Sequence, residues 1–178
     1  MKFALDAMGG DFAPHAVVQG ALDAIDKSSK PPSLILLGDE TAIRTEMAGR
    51  EVETIEIVHT DEVVNMDDKG SKVLKMKPNS SLVRGIQMVK NGQADGFISA
   101  GHTGAILSTT LLSLGRIPGV RRPALAAYFP TEKRGKVLCD VGANPDAKPE
   151  HLVQFALMAS HYYDHVEGFA APKIGLIN

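Results

Sequence analysis

The sequence contains no tryptophan and a single cysteine, Cys139, and only 5% of its residues are aromatic. One cysteine excludes a disulfide within the chain and fits a reducing, cytoplasmic setting. So few aromatic side chains leave little on which to stack nucleobases. A formal net charge of -2 gives no basic footprint for nucleic acid. No run approaches the roughly 18 apolar residues of a membrane-spanning helix. The opening MKFALDAMGG, broken by Asp6, is too short and too polar for a secretory signal. Two nucleotide signatures are also missing: G-x-x-x-x-G-K-[ST] does not occur, and no G-x-G-x-x-G follows an apolar run. ATP and a Rossmann-bound nicotinamide therefore have no direct support.

What is present suits a packed globular protein. Of 178 residues, 44% are hydrophobic and 22% charged, enough for one domain with a real core. Short apolar runs alternate with helical patterns. KFALDA, SLILLG, ETIEIVH, DGFISA, PALAAYF, GKVLCDV and KIGLI read as strands. Helices are expected after Pro14 with Val17, Ala21 and Ile25 on one face, over DETAIRTEMAG, over SLVRGIQMVK, over TGAILSTTLLSL, and from Pro149 to about Gly168. Thr60 to Ser81 is basic and without clear period. Strand-helix alternation with buried-type strands predicts an α/β fold, a mostly parallel sheet with helices on both faces. We read residues 1–178 as a single α/β domain. The closing APKIGLIN looks like the start of a further strand, so we expect the N-terminal part of a longer chain.

In such a sheet the strand-to-helix turns lie at the C-terminal edge, where ligands bind. Three turns are rich in glycine: DAMGGDFAP with Asp6, Gly9, Gly10 and Asp11; SAGHTGA with Ser99, Gly101, His102, Thr103 and Gly104; and CDVGANPDAKP with Asp140, Gly142 and Asn144. Glycine lets a backbone approach a ligand closely, and a helix N-terminus offers unpaired N–H groups and a positive dipole end. These are properties of a phosphate or oxyanion site, although a glycine-rich turn also serves steric ends alone.

Other residues carry two readings each. Cys139 is either an acyl-accepting nucleophile or a small buried hydrophobe, and its apolar setting favours the second. His161 and His165, four residues apart, either share a metal or lie on a solvated helix face, and no third ligand accompanies them. Asp6 and Asp140 either pair as metal ligands or bond the turns that follow them. Arg116, Arg121 and Arg122 suit phosphate or a surface loop. Lys69, Lys72, Lys75, Lys77 and Arg84 form a solvated face or steer an acidic partner.

Taken in order, DAMGGDFAP, SAGHTGA, RRPALA, DVGANPDAKPEHLVQFA and GLIN resemble the phosphate acyltransferases of bacterial phospholipid synthesis over essentially the whole chain. The resemblance implies transfer of a fatty acyl group from acyl carrier protein to inorganic phosphate, giving acyl phosphate. It implies the α/β architecture shared by phosphotransacetylases and the isocitrate and isopropylmalate dehydrogenases, no cofactor and no metal, a cytoplasmic homodimer, and peripheral association with the membrane's inner face. The family's usual motif is SAGNTGA, and His102 stands here in place of its Asn.

The chemistry sets the roles. Phosphate is already anionic and a thioester has a good leaving group, so the task is to hold both and stabilise an oxyanion. His102, Thr103, Asn144 and Asp140 are the expected catalytic group. Asp6, Gly9, Gly10, Asp11, Ser99, Gly101, Gly104, Arg122 and Gly142 are expected to bind substrate. A short-chain enzyme using acyl-CoA, a metal- and NAD-dependent decarboxylating dehydrogenase, and a non-catalytic anion-binding fragment are the rival readings.

Overall fold

In the computed structural model, which describes residues 1–132 and 135–177, the chain divides into two compact units, Met1–Gly115 and Arg116–Asn178. Each has its own sheet.

The first unit is built on four parallel strands, β1 (Lys2–Asp6), β2 (Ser33–Gly38), β3 (Ile55–His59) and β4 (Gly96–Ile98), in the order β3-β2-β1-β4. Alternation along a strand sends successive side chains to opposite faces. Leu5, Leu34 and Leu36 meet Val18, Ala21 and Leu22 of α1 (His15–Lys27) and Ile43 of α2 (Glu40–Glu46). Ala4, Ile35 and Leu37 face the other way, onto Met88 and Val89 of α4 (Ser81–Lys90). Both faces are therefore covered, and the strands need to be apolar on both sides. The chain steps from β1 through β2 to β3 and then returns to set β4 on the far side of β1. The order reverses between β1 and β4, which is where an open α/β sheet forms its ligand crevice.

Local chemistry fixes the ends. Asp39 caps α2, its Oδ1 accepting from the Ala42 N–H at 2.8 Å, and Ser80 caps α4 through the Val83 N–H at 3.4 Å. Pro14 sits one residue before α1, at its cap rather than inside the first turn. The basic segment, for which periodicity gave nothing, holds a 3-10 turn (Gly70–Lys72) and a four-residue helix, α3 (Val73–Met76). With α5 (Thr103–Leu114) and α4 it builds a third apolar cluster of Val73, Leu82, Val83, Ile86 and Ala105.

The second unit departs from expectation. β5 (Ala126–Phe129) and β6 (Lys136–Cys139) form an antiparallel pair, not further parallel strands. The reason is length: a parallel return needs a crossover of about a dozen residues or more, and only residues 130–135 separate the two. α6 (Pro149–Glu167) ends at Gly168 in the left-handed conformation, φ 62°. KIGLI forms no strand: no neighbour pairs with it among the described residues, and Ile174, Leu176 and Ile177 stand exposed. Asn178, the last residue of the GLIN stretch, lies outside the described residues.

Candidate functional site

Asp6 ends β1 on the α4 side of the sheet and is only 3% exposed. Its Oδ1 accepts from the Ser81 hydroxyl at 2.5 Å and from the Met8 N–H at 3.2 Å, and its Oδ2 accepts from the Ser99 hydroxyl at 2.8 Å. Ser99 Oγ in turn accepts from the Gly101 N–H at 3.0 Å. The turns after β1 and β4 are thus joined through one buried carboxylate. Their glycines are needed for this closeness. A Cβ on Gly9 would strike Asp6 Oδ2, and one on Gly101 would lie 3.2 Å from Gly9 Cα. Gly10, at φ 109°, abuts Ala100 and, like Asp11 beside it, faces solvent.

His102 is the N-cap of α5. Its Nδ1 accepts from the Ala105 N–H at 3.3 Å, and its Nε2 lies 3.0 Å from the Asp68 carbonyl oxygen. Both contacts are satisfied by one tautomer, with the proton on Nε2. Asp68 is itself anchored: its carboxylate accepts from Lys77 Nζ at 2.5 Å and from the Asn65 N–H at 2.7 Å. These bonds, Lys77 foremost, hold the carboxyl below the usual carboxylate range. Gly70 presses on the same helix end, since a Cβ there would lie 2.7 Å from the Gly104 carbonyl carbon and 2.8 Å from the Ala105 nitrogen. Among the described residues the N–H groups of Thr103 and Gly104 meet no acceptor, and both residues are exposed. The first turn of α5 therefore presents two unpaired donors and the Thr103 hydroxyl beside the β1 turn.

In the second unit Asp140 organises the turn after β6. Its Oδ1 accepts from the Leu125 N–H at 2.7 Å, and its Oδ2 from the Asn144 N–H at 2.8 Å and Asn144 Nδ2 at 3.3 Å. Burial alone would raise this carboxyl. The backbone bonds from Leu125, Asn144 and Ala143 and the Asn144 amide outweigh it and hold the group below the carboxylate range. Asn144 Nδ2 also donates to the Pro123 carbonyl at 2.9 Å, tying the turn to the RRP segment. Gly142 turns the chain at φ 117°. Arg122 is exposed and has no ion pair among the described residues, whereas Arg121 pairs with Glu150 at 2.5 Å and Arg116 donates to the Arg121 carbonyl at 2.6 Å.

The remaining residues sort themselves. Burial and the neighbouring Asp140 push the Cys139 thiol up, so it is a poor nucleophile. His161 and His165 lie on α6, with His165 Nδ1 2.8 Å from the His161 carbonyl oxygen. No three His, Cys, Asp or Glu side chains gather for a metal among the described residues. Asp6 and Asp140 belong to different units, and both carboxylates bond the turns that follow them. Lys77 leaves the charged run, since it is held by Asp68 and the Val63 carbonyl; Lys69, Lys72, Lys75 and Arg84 are exposed. Sequence reasoning missed Ser81, Asp68 and Gly70. A second serine after a capping serine, at the start of a helix that buries its first turn, was the available signal for Ser81. Nothing in the sequence marked Asp68 as a partner for position 102.

The fold is that of the phosphotransacetylase-like α/β proteins. The phosphotransacetylase EutD from Staphylococcus aureus matches with a TM-score of 0.66 at 17% identity, covering 92% of this chain and 52% of its own. A branched-chain phosphotransacylase from Enterococcus faecalis V583 matches at 0.57 and 14% identity, covering 92% of this chain and 51% of its own. The chain belongs to the fatty acid synthesis protein family, whose model matches residues 1–178. Among its relatives are the phosphate acyltransferases of Desulfitobacterium hafniense strain Y51, 46% identical over all of this chain and 53% of the relative, and of Listeria innocua, 45% identical over all of this chain and 52% of the relative. The chain spans about half the length of the curated relatives it matches.

Proposed function

We propose that this chain is part of an acyltransferase that moves a fatty acyl group from acyl carrier protein to inorganic phosphate, supplying acyl phosphate for phospholipid synthesis. The observation that carries the reading is the first turn of α5, where the Thr103 and Gly104 N–H groups stand unpaired and exposed at the sheet's reversal point. Helix N-termini with bare donors suit phosphate or a developing oxyanion. The phosphate oxygen attacks the thioester carbonyl, a C–O bond forms, the C–S bond breaks, and the carrier leaves as a thiolate that takes up a proton. The anionic nucleophile needs no general base, and the step needs no cofactor. Within the second unit, Arg122 with the Asn144 turn offers a cationic and amide surface that suits anions in its own right.

The exposed Lys69, Lys72, Lys75 and Arg84 suit the acidic carrier, and a homodimer at the membrane's inner face belongs to the same reading. No helix among the described residues is long and apolar enough to cross a membrane. The test is acyl phosphate formation by the full-length protein, with long-chain acyl carrier protein and acyl-CoA as separate donors, with and without phosphate. Phosphate-dependent turnover of the carrier thioester supports the proposal. Preference for acyl-CoA moves the enzyme to the short-chain class, and no acyl phosphate from either donor overturns it.

A further inference from the structure

We propose that His102 is a positioning residue that works only as the neutral, Nε2-protonated imidazole, latching the first turn of α5 to the Asn65–Lys77 segment, so that acid weakens anion binding at this helix end. The inference rests on the reading of the α5 N-terminus as an anion site. Two contacts of one ring carry it. Nδ1 must offer a lone pair to the Ala105 N–H, and Nε2 must carry a proton to donate to the Asp68 carbonyl. A second proton on Nδ1 sets a donor against a donor and breaks the cap. It also places positive charge at the positive end of the helix dipole, where cations are unfavourable.

The ring cannot act independently of its partners. Asp68 is pinned by Lys77 and the Asn65 N–H, and Gly70 is fitted against the Gly104 and Ala105 backbone. The imidazole therefore spans two elements whose separation is fixed, and the cap it supplies orients the very turn that leaves Thr103 and Gly104 N–H groups bare. The charged groups of the packed elements are the Asp68 carboxylate with its Lys77 partner, the exposed Lys69 and Lys72 around the 3-10 turn, Lys75 of α3 and Arg84 of α4; the buried Asp6 carboxylate lies behind Gly101, bonded to Ser81 and Ser99. Such a latch reverses the simplest expectation for histidine in an anion loop, namely an imidazolium that pulls the anion in.

Sulfate is the probe, because it stays dianionic where phosphate titrates. Its affinity for this chain is measured by calorimetry at constant ionic strength between about pH 8 and about pH 5, the range over which histidines exchange charge. Nitrogen-15 NMR of the His102 ring at the upper end reads the tautomer directly. The expected results are a bare Nδ1 and a protonated Nε2, with sulfate affinity falling at least about tenfold on acidification as one proton is linked to release. His102→Asn, which keeps a strong capping oxygen and cannot protonate, is expected to bind with a flat profile. His102→Ala is expected to bind several-fold more weakly than the parent near about pH 8 and no more weakly near about pH 5, where the parent has lost the same cap.

The opposite tautomer, affinity that rises in acid, or an acid slope that survives in His102→Asn overturns the latch. Absence of sulfate binding at every pH, with the expected tautomer in place, instead overturns the anion-site reading and the latch's part in binding with it. The NMR measurement uses the unaltered chain, so the tautomer is tested even if a variant fails to fold.

Discussion

The Ser81 hydroxyl donates to the buried Asp6 carboxylate at 2.5 Å across 75 residues of sequence, and through that carboxylate reaches Ser99 at the head of the α5 turn. A strand end, a helix start and a loop thus share one acceptor. Bonds to a buried charge are worth about 1.5–3 kcal/mol each. Asp6→Ala is expected to lower unfolding free energy by about 3 kcal/mol, and Ser81→Ala by about 1–2 kcal/mol. Urea titrations of the two single variants and the double variant would show strong non-additivity. Additive losses would mean that the hydroxyl and the carboxylate act separately.

Gly70→Ala tests the seam between the 3-10 turn and α5. The new methyl meets backbone atoms at 2.7–2.9 Å, and backbone cannot step aside as a long side chain can. Overpacking of this kind costs about 1–3 kcal/mol. Gly49→Ala, where a Cβ would find open space but φ is 78°, separates strain from crowding. Equal melting temperatures for Gly70→Ala and the parent would contradict the seam.

Thr103→Pro removes one donor without disturbing the helix. Proline is tolerated at the first helical position, and His102, at φ -69° and ψ 101°, already lies outside the α region that a following proline disfavours. Helix content should be unchanged by circular dichroism. In the full-length protein, turnover should fall about 10²-fold, the cost of an oxyanion donor. Thr103→Ala isolates the hydroxyl. Undiminished turnover in Thr103→Pro removes the N–H from the mechanism.

Asp140 carries a pH dependence of definite sign. Its carboxyl is held below the unfolded value, so the stabilisation it brings is fully present above about pH 4 and is lost as pH falls through the lower, folded value. Amide protection factors at Leu125 and Asn144, taken relative to the intrinsic rate at each pH, should fall in acid, and Asp140→Asn should show low protection at every pH. Acid-independent protection in the parent chain would count against the carboxylate.

Charge reversal at Lys69, Lys72 and Lys75 should slow association with acyl carrier protein and flatten its salt dependence, leaving thermal stability nearly unchanged. Lys77→Glu should instead unfold the segment, since it opposes Asp68. If the triple reversal binds the carrier as fast as the parent at low salt, these lysines are a solvated face.

The order of strands and helices in the first unit was legible because apolar runs of SLILLG type alternate with stretches of helical period, the Thr60–Ser81 segment excepted. The glycine-rich turns after β1 and β4 could be expected at one sheet edge from alternation alone. Three features could not be read in the same way. Runs such as AAYF and KVLC do not state strand direction, although their short connection did. KIGLI has strand composition, but a strand is defined by a neighbour, which it lacks among the described residues. The contacts of His102 depend on where Asp68 lies, and Asp68 is placed by Lys77 and by Gly70's lack of a side chain, not by any periodic pattern.

The reversal of strand order has a consequence for how the first unit assembles. β1 pairs with β2 through the crossover that carries α1, but its other edge stays open until residues 96–98 arrive from far along the chain. A growing polypeptide therefore carries the central strand of its sheet as an unpaired edge through most of the unit's synthesis. Asp6 gains its Ser99 partner only at the close. The last long-range pairing to form also completes the loop proposed to hold the anion, so on that proposal binding can arise only when the sheet of this unit is finished.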